Sequence, residues 1–291
     1  MKIRKRLLVD PTAIDVVVGE SGTRDTPGVK GRKQAEKAVG RMAPELADLQ
    51  ERLYAEGKAG GTRRLVVVLQ GTDASGKDGA VKHVLGAVNP AGVRVTPFGK
   101  PTEEERAHDF LWRITNAVPP PGYLGVFNRS HYEDVLVVRV HDLVPPEEWE
   151  KRYDLINAWE AEQVATGVTF LKVFLHISYE EQAERLLARI DDPRKHWKVN
   201  PGDIVERARW EEYRTAYGEM LRRCSTPTAP WYVIPADRKW YRNFALASLL
   251  LETLRDMDPQ WPVRPELDLD GMRAALRGSG SPTHPPAGGE P

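Results

Sequence analysis

The chain has 291 residues, and its 42 Lys and Arg are balanced by 42 Asp and Glu. A net charge of zero leaves no global field that would draw it to nucleic acid or a membrane surface, so neither partner is predicted. The single cysteine, Cys224, excludes an internal disulfide and fits a reducing cytoplasm. The longest apolar run, Phe244 to Leu251, is too short to cross a bilayer. A soluble cytoplasmic protein is therefore expected.

Glycine, proline and hydrophobic spacing divide the chain into three parts. Residues 1–29 are interrupted by Pro and Gly and are predicted to be an irregular extension. Residues 30–262 carry the periodic apolar patterns of a folded domain, beginning with a helix from Lys30 to Glu56. Residues 263–291 are rich in Pro, Gly and Ser, which predicts a disordered tail.

Five apolar strands are predicted in the central part, and helical patterns separate them. The strands are residues 65–69, 93–99, 123–127, 168–177 and 231–236, and the later helices are residues 102–118, 145–167, 178–190, 201–223 and 240–257. Residues 135–140 stay ambiguous, because their β-branched side chains favour a strand and their phasing favours a helix. This alternation predicts an α/β fold with a doubly wound, five-stranded parallel sheet and helices on both faces.

The segment after the first strand has the pattern Gly-x4-Gly-Lys and is followed by a helix. This order of strand, glycine loop and helix is typical of the phosphate-binding loop (P-loop) of nucleotide-binding proteins. Glycine lets backbone N–H groups turn inward, and the helix start adds its dipole. Lys77 supplies a full positive charge. The predicted phosphate contacts are Gly71, Ala74, Ser75, Gly76, Lys77, Asp78 and Gly79.

Asp73 lies inside this loop, where a carboxylate would repel bound phosphate unless a cation lay between them. Asp78 follows the lysine, at the position where P-loop hydrolases usually have a Ser or Thr that binds magnesium. Asp73 is therefore predicted to hold Mg²⁺, or Mn²⁺, in place of the missing hydroxyl. The alternative is a solvent-facing Asp that favours the turn.

Further basic residues follow the later strands, at the edge of the sheet where ligands bind. Arg129 comes directly after the third strand. Five cations lie in the helix after the fourth strand and in the turn that follows it, beside His196 and Trp197: Arg185, Arg189, Arg194, Lys195 and Lys198. Such a run can be a solvated turn, but its position matches the basic lid of P-loop kinases, predicted over residues 185–203. Lys77, Arg129 and Arg189 would neutralise charge on a transferring phosphoryl group, which makes all three, with Asp73, candidate catalytic residues.

Five motifs carry a resemblance to a known family. GTDASGKDG, FGKPTEEE, FNRSHYEDVLVVRV, IDDPRKHWKV and STPTAPWYVIPADRKWYRN resemble, in order, the polyphosphate kinase 2 family, over roughly residues 30–262. The resemblance implies magnesium-dependent transfer of phosphate between inorganic polyphosphate and nucleotides. It also implies one P-loop domain with a helical lid, assembled as a homo-oligomer, a dimer or a tetramer.

The resemblance also suggests roles for single residues. It implies phosphate binding by Lys77 and Arg129, a metal at Asp73, and lid positions for Arg189, Lys195 and Lys198. Residues 135–140 would be helical, with Arg139 toward the phosphate channel, and Arg185 would join the phosphate contacts. The residues expected to bind the nucleotide are Lys100, Asn128, His131 and Glu133.

Asn128 departs from the pattern of many members, which have Asp at this position. NRSHYEDVLVVRV resembles the class III subgroup, which converts AMP to ADP and ADP to ATP. The alternatives are a polyphosphate kinase that uses only ADP or GDP, an ATP-dependent nucleotide kinase, and a binding module without activity.

Overall fold

The computed structural model describes residues 3–13 and 22–278. The chain divides into two compact units, Met1–Trp261 and Pro262–Pro291. Within the described ranges, no helix combines the length and the apolar character needed to cross a membrane.

One parallel sheet organises the first unit. Its strands are β1 (Arg64–Gln70), β2 (Val93–Pro97), β3 (Leu124–Asn128), β4 (Val168–His176) and β5 (Trp231–Pro235). They lie in the order β2-β3-β1-β4-β5, and each neighbouring pair is parallel. The predicted P-loop kinase-like α/β fold with a five-stranded parallel sheet is confirmed.

Helices connect the strands on both faces of this sheet. They are α1 (Arg4–Leu7), α2 (Arg32–Lys58), α3 (Lys77–Leu85), α4 (Glu103–Arg106), α5 (Trp112–Ala117), α6 (Val137–Val140), α7 (Pro146–Ala165), α8 (Tyr179–Ile190), α9 (Gly202–Ala208), α10 (Trp210–Cys224) and α11 (Lys239–Met257). Two 3₁₀ turns, His131–Val135 and Pro193–Lys198, lie in the loops after β3 and α8. Residues 137–140 are helical, as the resemblance implied.

The side chains of β1 alternate between two hydrophobic cores, because successive residues of a strand point to opposite faces. Leu65, Val67 and Leu69 pack in the core that contains residues of α2 and α11. Val66 and Val68 pack in the opposite core, with residues of α5, α7 and α10. β1 is therefore buried on both faces and places the loop that follows it at the centre of the domain.

The strand order determines where a ligand can enter. From β1 the chain moves to β2 and β3 on one side, and later to β4 and β5 on the other. The connections leave a crevice at the carboxyl ends of the strands, where the order reverses. The loops after β1, β3 and β4 meet there, which brings together segments that are far apart in sequence.

Two of the predicted helices are each broken in two. The helix predicted over residues 102–118 is split into α4 and α5, because Asp109 accepts a hydrogen bond from the backbone N–H of Leu111 and starts a new turn. The helix predicted over residues 201–223 is split at Arg209, whose N–H bonds the carbonyl oxygen of Glu206, three residues back, rather than four. Neither break involves Pro or Gly, the residues that most often mark the end of a helix in a sequence.

The two terminal segments also differ from expectation. The extension predicted to be irregular contains α1, and Val9 N–H donates to the carbonyl oxygen of Trp231 in β5 at 3.0 Å. The tail predicted to be disordered contains a helix, α12 (Leu269–Gly278), in which Leu269, Met272 and Leu276 recur at helical spacing. The predicted irregular stretch at residues 14–21 and the end of the tail lie outside the described residues.

Candidate active site

The P-loop has a backbone that only certain residues adopt easily. Gly71 and Gly76 have positive φ angles of 152° and 97°. A Cβ atom at Gly71 would lie 2.7 Å from the carbonyl oxygen of Leu175, so this position also has no space for a side chain. Ala74 has φ 62°, a strained value for a residue with a Cβ. The predicted glycine loop is therefore tight and strained.

Lys77 folds back over this loop. Its Nζ donates to the carbonyl oxygens of Gly71 at 2.6 Å and Thr72 at 3.2 Å. Burial lowers the pKa of Lys77 to about 8, although nearby Asp73 opposes the shift. The hydroxyl groups of Thr72 and Ser75 are buried and have no hydrogen-bond partner among the described residues. The loop thus presents polar groups that an oxyanion could satisfy.

Asp73 and Arg129 form the centre of the site. Arg129 Nη2 lies 2.8 Å from Asp73 Oδ1, and Arg129 itself has φ 63°. Burial works to lower the pKa of Arg129, but the carboxylates of Glu133 and Asp73 outweigh it, so the pKa is raised. Burial also raises the pKa of Glu133, against the opposing charge of Arg129. Asp73, Arg129 and Glu133 therefore share one charged cluster. They are the residues predicted to bind the metal, a phosphate and the nucleotide, respectively.

Asp78, a predicted phosphate contact, instead joins three elements of the fold. One of its oxygens accepts a hydrogen bond from Asn128 Nδ2 at 2.8 Å, and the other lies 2.9 Å from Lys198 Nζ. The bond from Lys198 is the main cause that lowers the pKa of Asp78. The carboxylate of Asp78 is thus paired with Asn128 and Lys198, so that a phosphate contact at this residue would be made by its backbone N–H.

Arg185 differs from its predicted role as a phosphate contact. Its Nη1 donates to the carbonyl oxygens of Ala74 and Ser75 at 3.0 and 2.8 Å. Its Nη2 donates to the carbonyl oxygens of Ala236 and Asp237 at 2.6 and 3.0 Å, and its Nε donates to Glu181. With its donors engaged, Arg185 holds the P-loop against the end of β5.

Three further predicted residues lie away from the P-loop. His131 is fully buried, with Nε2 3.2 Å from Glu160, because the 3₁₀ turn after β3 directs it into the core. Arg139 lies over the ring of Trp149, 4.6 Å from its centroid, and donates to a neighbouring tyrosine of α7, since the turn of α6 points it that way. Lys100 is exposed in the loop after β2 and does not line the cleft described next. None of these three residues lines the cleft over the P-loop.

A cleft of about 1160 Å³ opens over the P-loop and extends to the lid. Its charged lining has ten basic and four acidic side chains: Lys77, Lys82, Arg129, Arg185, Arg189, Arg194, Lys195, Lys198, Lys239 and Arg242, with Asp73, Asp78, Glu181 and Glu184. All five cations of the segment predicted as a lid, residues 185–203, thus line the cleft with the P-loop. Within the lid, Arg189 donates to Asp203 at 3.1 Å and Lys195 pairs with Asp192 at 3.0 Å.

Sequence reasoning missed Lys82, Lys239 and Arg242 at this cleft. Arg242 is only 5% exposed, and its Nη1 donates to the carbonyl oxygen of Gly76 at 3.0 Å. Burial, followed by repulsion from Arg185, lowers its pKa to about 10. The available signal was the position of Lys239 and Arg242 just after β5, because residues after a strand of a parallel sheet lie at its ligand-binding edge.

The sheet order, the glycine loop ending in a buried lysine and the basic lid over one cleft define a P-loop phosphotransferase. The chain belongs to the polyphosphate kinase 2 family, whose defining sequence pattern matches residues 30–262.

Individual relatives are similar over most of the chain. An AMP/ADP-polyphosphate phosphotransferase from Meiothermus ruber is 50% identical over 239 residues, which cover 82% of this chain and 88% of the relative. An ADP-polyphosphate phosphotransferase from Rhodopseudomonas palustris is 37% identical, covering 90% and 93%. The crystal structure of polyphosphate kinase 2 from Arthrobacter aurescens TC1 superposes with a TM-score of 0.86 at 43% identity, covering 94% of this chain and 98% of that one.

Proposed function

We propose that this protein transfers phosphate from inorganic polyphosphate to AMP and ADP, forming ADP and ATP, with a divalent cation. The observation that carries the proposal is the cleft, which ten basic side chains line; they come from α3, the loop after β3, the segment from α8 to Lys198, and α11. A linear polyanion needs cations along its length, whereas a single nucleotide needs them at one end. The similarity to a relative that is named for both AMP and ADP supports the choice of acceptors.

The reaction needs positioning and charge neutralisation more than covalent chemistry. Lys77 would leave the carbonyl oxygens of Gly71 and Thr72 and donate to the phosphates, since its ammonium is already at the loop. Arg129 and Arg189 approach the same cleft from β3 and from the lid. Their charges would stabilise the negative charge on the transferring group and hold the donor and acceptor oxygens in line.

The residues at the loop fit a magnesium ion that is held partly by the substrate. Within residues 3–13 and 22–278, no group of three or more His, Cys, Asp or Glu side chains could hold a metal. Mg²⁺ commonly binds through one or two carboxylates together with substrate phosphates and water. Asp73 would supply the carboxylate, and the bound ion would neutralise charge on the phosphate oxygens.

The neutral side chain of Asn128 suits a site that accepts nucleotides with either one phosphate (AMP) or two (ADP). It lies at the end of β3, in the cleft lining, and its amide donates to Asp78. A carboxylate at this place would add repulsion against a phosphate tail that must sit at two depths, one for AMP and one for ADP. Glu133 lies in the same cluster as Arg129 and would contribute to the nucleotide side of the site.

A time course with AMP, excess polyphosphate and magnesium tests the function. No ADP, ATP or adenylate kinase is added. We expect ADP to appear first and ATP to follow. Phosphorylation of added ADP or GDP without any reaction of AMP would identify an ADP- or GDP-specific polyphosphate kinase. A reaction that requires ATP as donor would identify an ATP-dependent nucleotide kinase, and no transfer from either donor would leave a binding module.

A substitution at Asp73 tests the metal. Asp73→Asn keeps the size of the side chain but removes its charge, so the magnesium concentration at half-maximal rate should rise about tenfold or more. Asp154→Asn, on the exposed surface of α7, is the matched control and should not change it. An unchanged magnesium titration in Asp73→Asn would refute the assignment.

The assembly belongs to the same proposal. A homo-oligomer, dimer or tetramer, in the cytoplasm is the expected form of the enzyme, from its resemblance to the family. Analytical ultracentrifugation of the purified full chain would give the mass of the assembly, and a monomer at micromolar concentration would contradict the expectation.

A further inference from the structure

A buried ion pair joins β4 to α7. Lys172 of β4 and Glu160 of α7 have side chains that are 0% and 1% exposed, and Lys172 Nζ lies 2.6 Å from Glu160 Oε2. The ammonium also donates to the hydroxyl of Tyr132 at 2.8 Å and to the carbonyl oxygen of Cys224 at 2.7 Å. An ammonium has three N–H donors, so all of them are used inside the protein.

Two consecutive residues of the 3₁₀ turn after β3 reach the same carboxylate. The hydroxyl of Tyr132 donates to Glu160 Oε1 at 2.7 Å, and His131 Nε2 lies 3.2 Å from this oxygen. Burial lowers the pKa of His131, so its ring is neutral and donates through Nε2, because a carboxylate can only accept. Burial works to raise the pKa of Glu160, but the charge of Lys172 outweighs it and the pKa is lowered. Glu160 therefore holds both side chains as an ionised acceptor.

Arg129 lies directly before this turn and has a left-handed backbone, with φ 63°. Its N–H donates to the carbonyl oxygen of Leu69 at 3.1 Å. The hydroxyl of the next residue, Ser130, accepts from Gln70 Nε2 at 3.1 Å and from the N–H of Tyr132 at 3.3 Å. A residue with a Cβ keeps such a backbone only where its surroundings fix it. Here β1 fixes the chain at Arg129, and the buried carboxylate fixes it at the two residues after Ser130.

The buried charges serve direction rather than stability. Burying two charges costs about as much as their attraction returns, and apolar side chains of similar size would stabilise a core equally well. Apolar side chains could not accept hydrogen bonds from two residues of one turn. The turn adjoins the charged cluster of the site, where Arg129 Nη2 lies 2.8 Å from Asp73 Oδ1. The ion pair is thus placed to determine where this guanidinium lies.

We propose that Glu160 and Lys172 are positioning residues for Arg129. Neither touches a substrate: they hold His131 and Tyr132, these two side chains fix the turn, and the turn directs the guanidinium of Arg129 toward the phosphates. The inference rests on the proposed function, in which Arg129 contacts phosphate. It gives a buried ion pair outside the cleft an effect on phosphate affinity.

A double-mutant cycle tests whether the ion pair acts through Arg129. Tyr132→Phe removes one hydroxyl and keeps the ring, and calorimetry measures the Kd for tripolyphosphate with and without Arg129→Ala. Tyr132→Phe alone should raise the Kd about tenfold, which is within the range found for groups that are coupled in one network. In the Arg129→Ala protein it should change the Kd less than twofold, because the guanidinium that the turn directs is absent. An equal rise with and without Arg129, or no rise in either, would overturn the proposal.

A second variant removes the ion pair itself. Glu160→Leu/Lys172→Met deletes both charges together, so that neither is left buried without its counter-ion. We expect circular dichroism to show a folded protein, with a similar rise in Kd that again requires Arg129. A folded variant with the Kd of the unchanged protein would show that the pair serves folding alone, and where the variant does not fold, the Tyr132→Phe cycle decides.

Tyr232→Phe is the matched control. It removes another buried tyrosine hydroxyl, which accepts from Arg4 Nε at 2.7 Å in the opposite core. It should lower the Tm by a similar amount but leave the Kd within about twofold, because Tyr232 lies outside the network. A tenfold rise in Kd here would attribute the effect to lost stability and overturn the positioning role.

The outcome for the proposed function is read separately. Failure of the unchanged protein to phosphorylate AMP or ADP from polyphosphate overturns the proposed function, while the binding cycle still decides whether the ion pair positions Arg129. Failure of the unchanged protein to bind tripolyphosphate overturns the phosphate role of Arg129 and, with it, this inference.

Discussion

Three cations contact the P-loop through its backbone oxygens. Lys77, Arg185 and Arg242 donate to loop carbonyls at Gly71, Thr72, Ala74, Ser75 and Gly76. A carbonyl dipole satisfies the hydrogen bond but does not neutralise the charge, so burial lowers the pKa of Lys77 and of Arg242. The positive charges of these side chains at the P-loop are therefore available to a bound anion.

The lowered pKa of Lys77 predicts how phosphate binding depends on pH. With a pKa of about 8 instead of 10.5, the free ammonium is charged below pH 8 and loses its proton as the pH rises through this value. Polyphosphate affinity should therefore fall between about pH 8 and pH 10, where proton uptake must accompany binding. Calorimetry across this range, with Lys77→Arg as the variant that keeps its charge, measures the effect.

The same shift has a consequence for stability. Between pH 8 and pH 10.5 the unfolded chain binds more protons at Lys77 than the folded chain does, so this residue's contribution to the free energy of unfolding rises with pH. Lys77→Met should remove that rise. A phosphate affinity that declines equally in Lys77→Arg would contradict the assignment to Lys77.

At the scale of elements, the pair Asp78 and Asn128 connects α3 and β3 to the lid. Asp78 accepts from Asn128 at 2.8 Å and from Lys198 of the lid at 2.9 Å. The amide of Asn128 is a donor, whereas an aspartate at this position would place two carboxylates in contact. The neutral residue thus permits the lid to rest on the P-loop helix.

Asn128→Asp is expected to weaken this contact. Two like charges in contact repel, which would displace Asp78 and release Lys198, and the KM for polyphosphate should rise about threefold to tenfold. The double variant Asp78→Asn/Asn128→Asp restores one donor and one acceptor and should recover much of the affinity. Steady-state kinetics with ADP as acceptor measure both. A double variant no better than the single one would contradict the pairing.

At the scale of the whole molecule, the N-terminal segment completes the sheet edge. Ile3, Leu7 and Val9 are buried, and the backbone N–H of Ile3 donates to Glu252 of α11 at 2.9 Å. The segment therefore covers β5, whose edge would otherwise expose unpaired backbone groups. It stabilises the fold from outside the part of the chain that matches the family.

Deletion of residues 1–9 should lower stability without altering the site. Three buried apolar side chains are removed, each contributing about 1.5 to 3 kcal/mol, so the Tm should fall by about 10 °C or more. Thermal unfolding followed by circular dichroism measures the change. Removal of residues 263–291 is the control and should leave the Tm within about 2 °C. A deletion of residues 1–9 with an unchanged Tm would show that the segment does not support the sheet.

The sequence by itself determined the features that depend on local spacing. Five apolar runs, the glycine loop and the helix starts are properties of neighbouring residues: the helices predicted from residues 102 and 178 do begin there, where Thr102 and Ser178 cap α4 and α8. The family motifs likewise lie within short stretches. The strands, the glycine loop and the placing of a basic segment at the same edge of the sheet could therefore be predicted from the sequence.

Only the tertiary structure decided which partners the charged side chains have. Arg185 and Arg189 share a helix, yet Arg185 donates to carbonyl oxygens of the P-loop, whereas Arg189 pairs with Asp203. His131 follows a strand end but enters the core, and Arg242 reaches the loop from 166 residues away. Burial and electrostatic pairing depend on contacts between segments distant in sequence, and only the packing of the strands and helices brings those segments together.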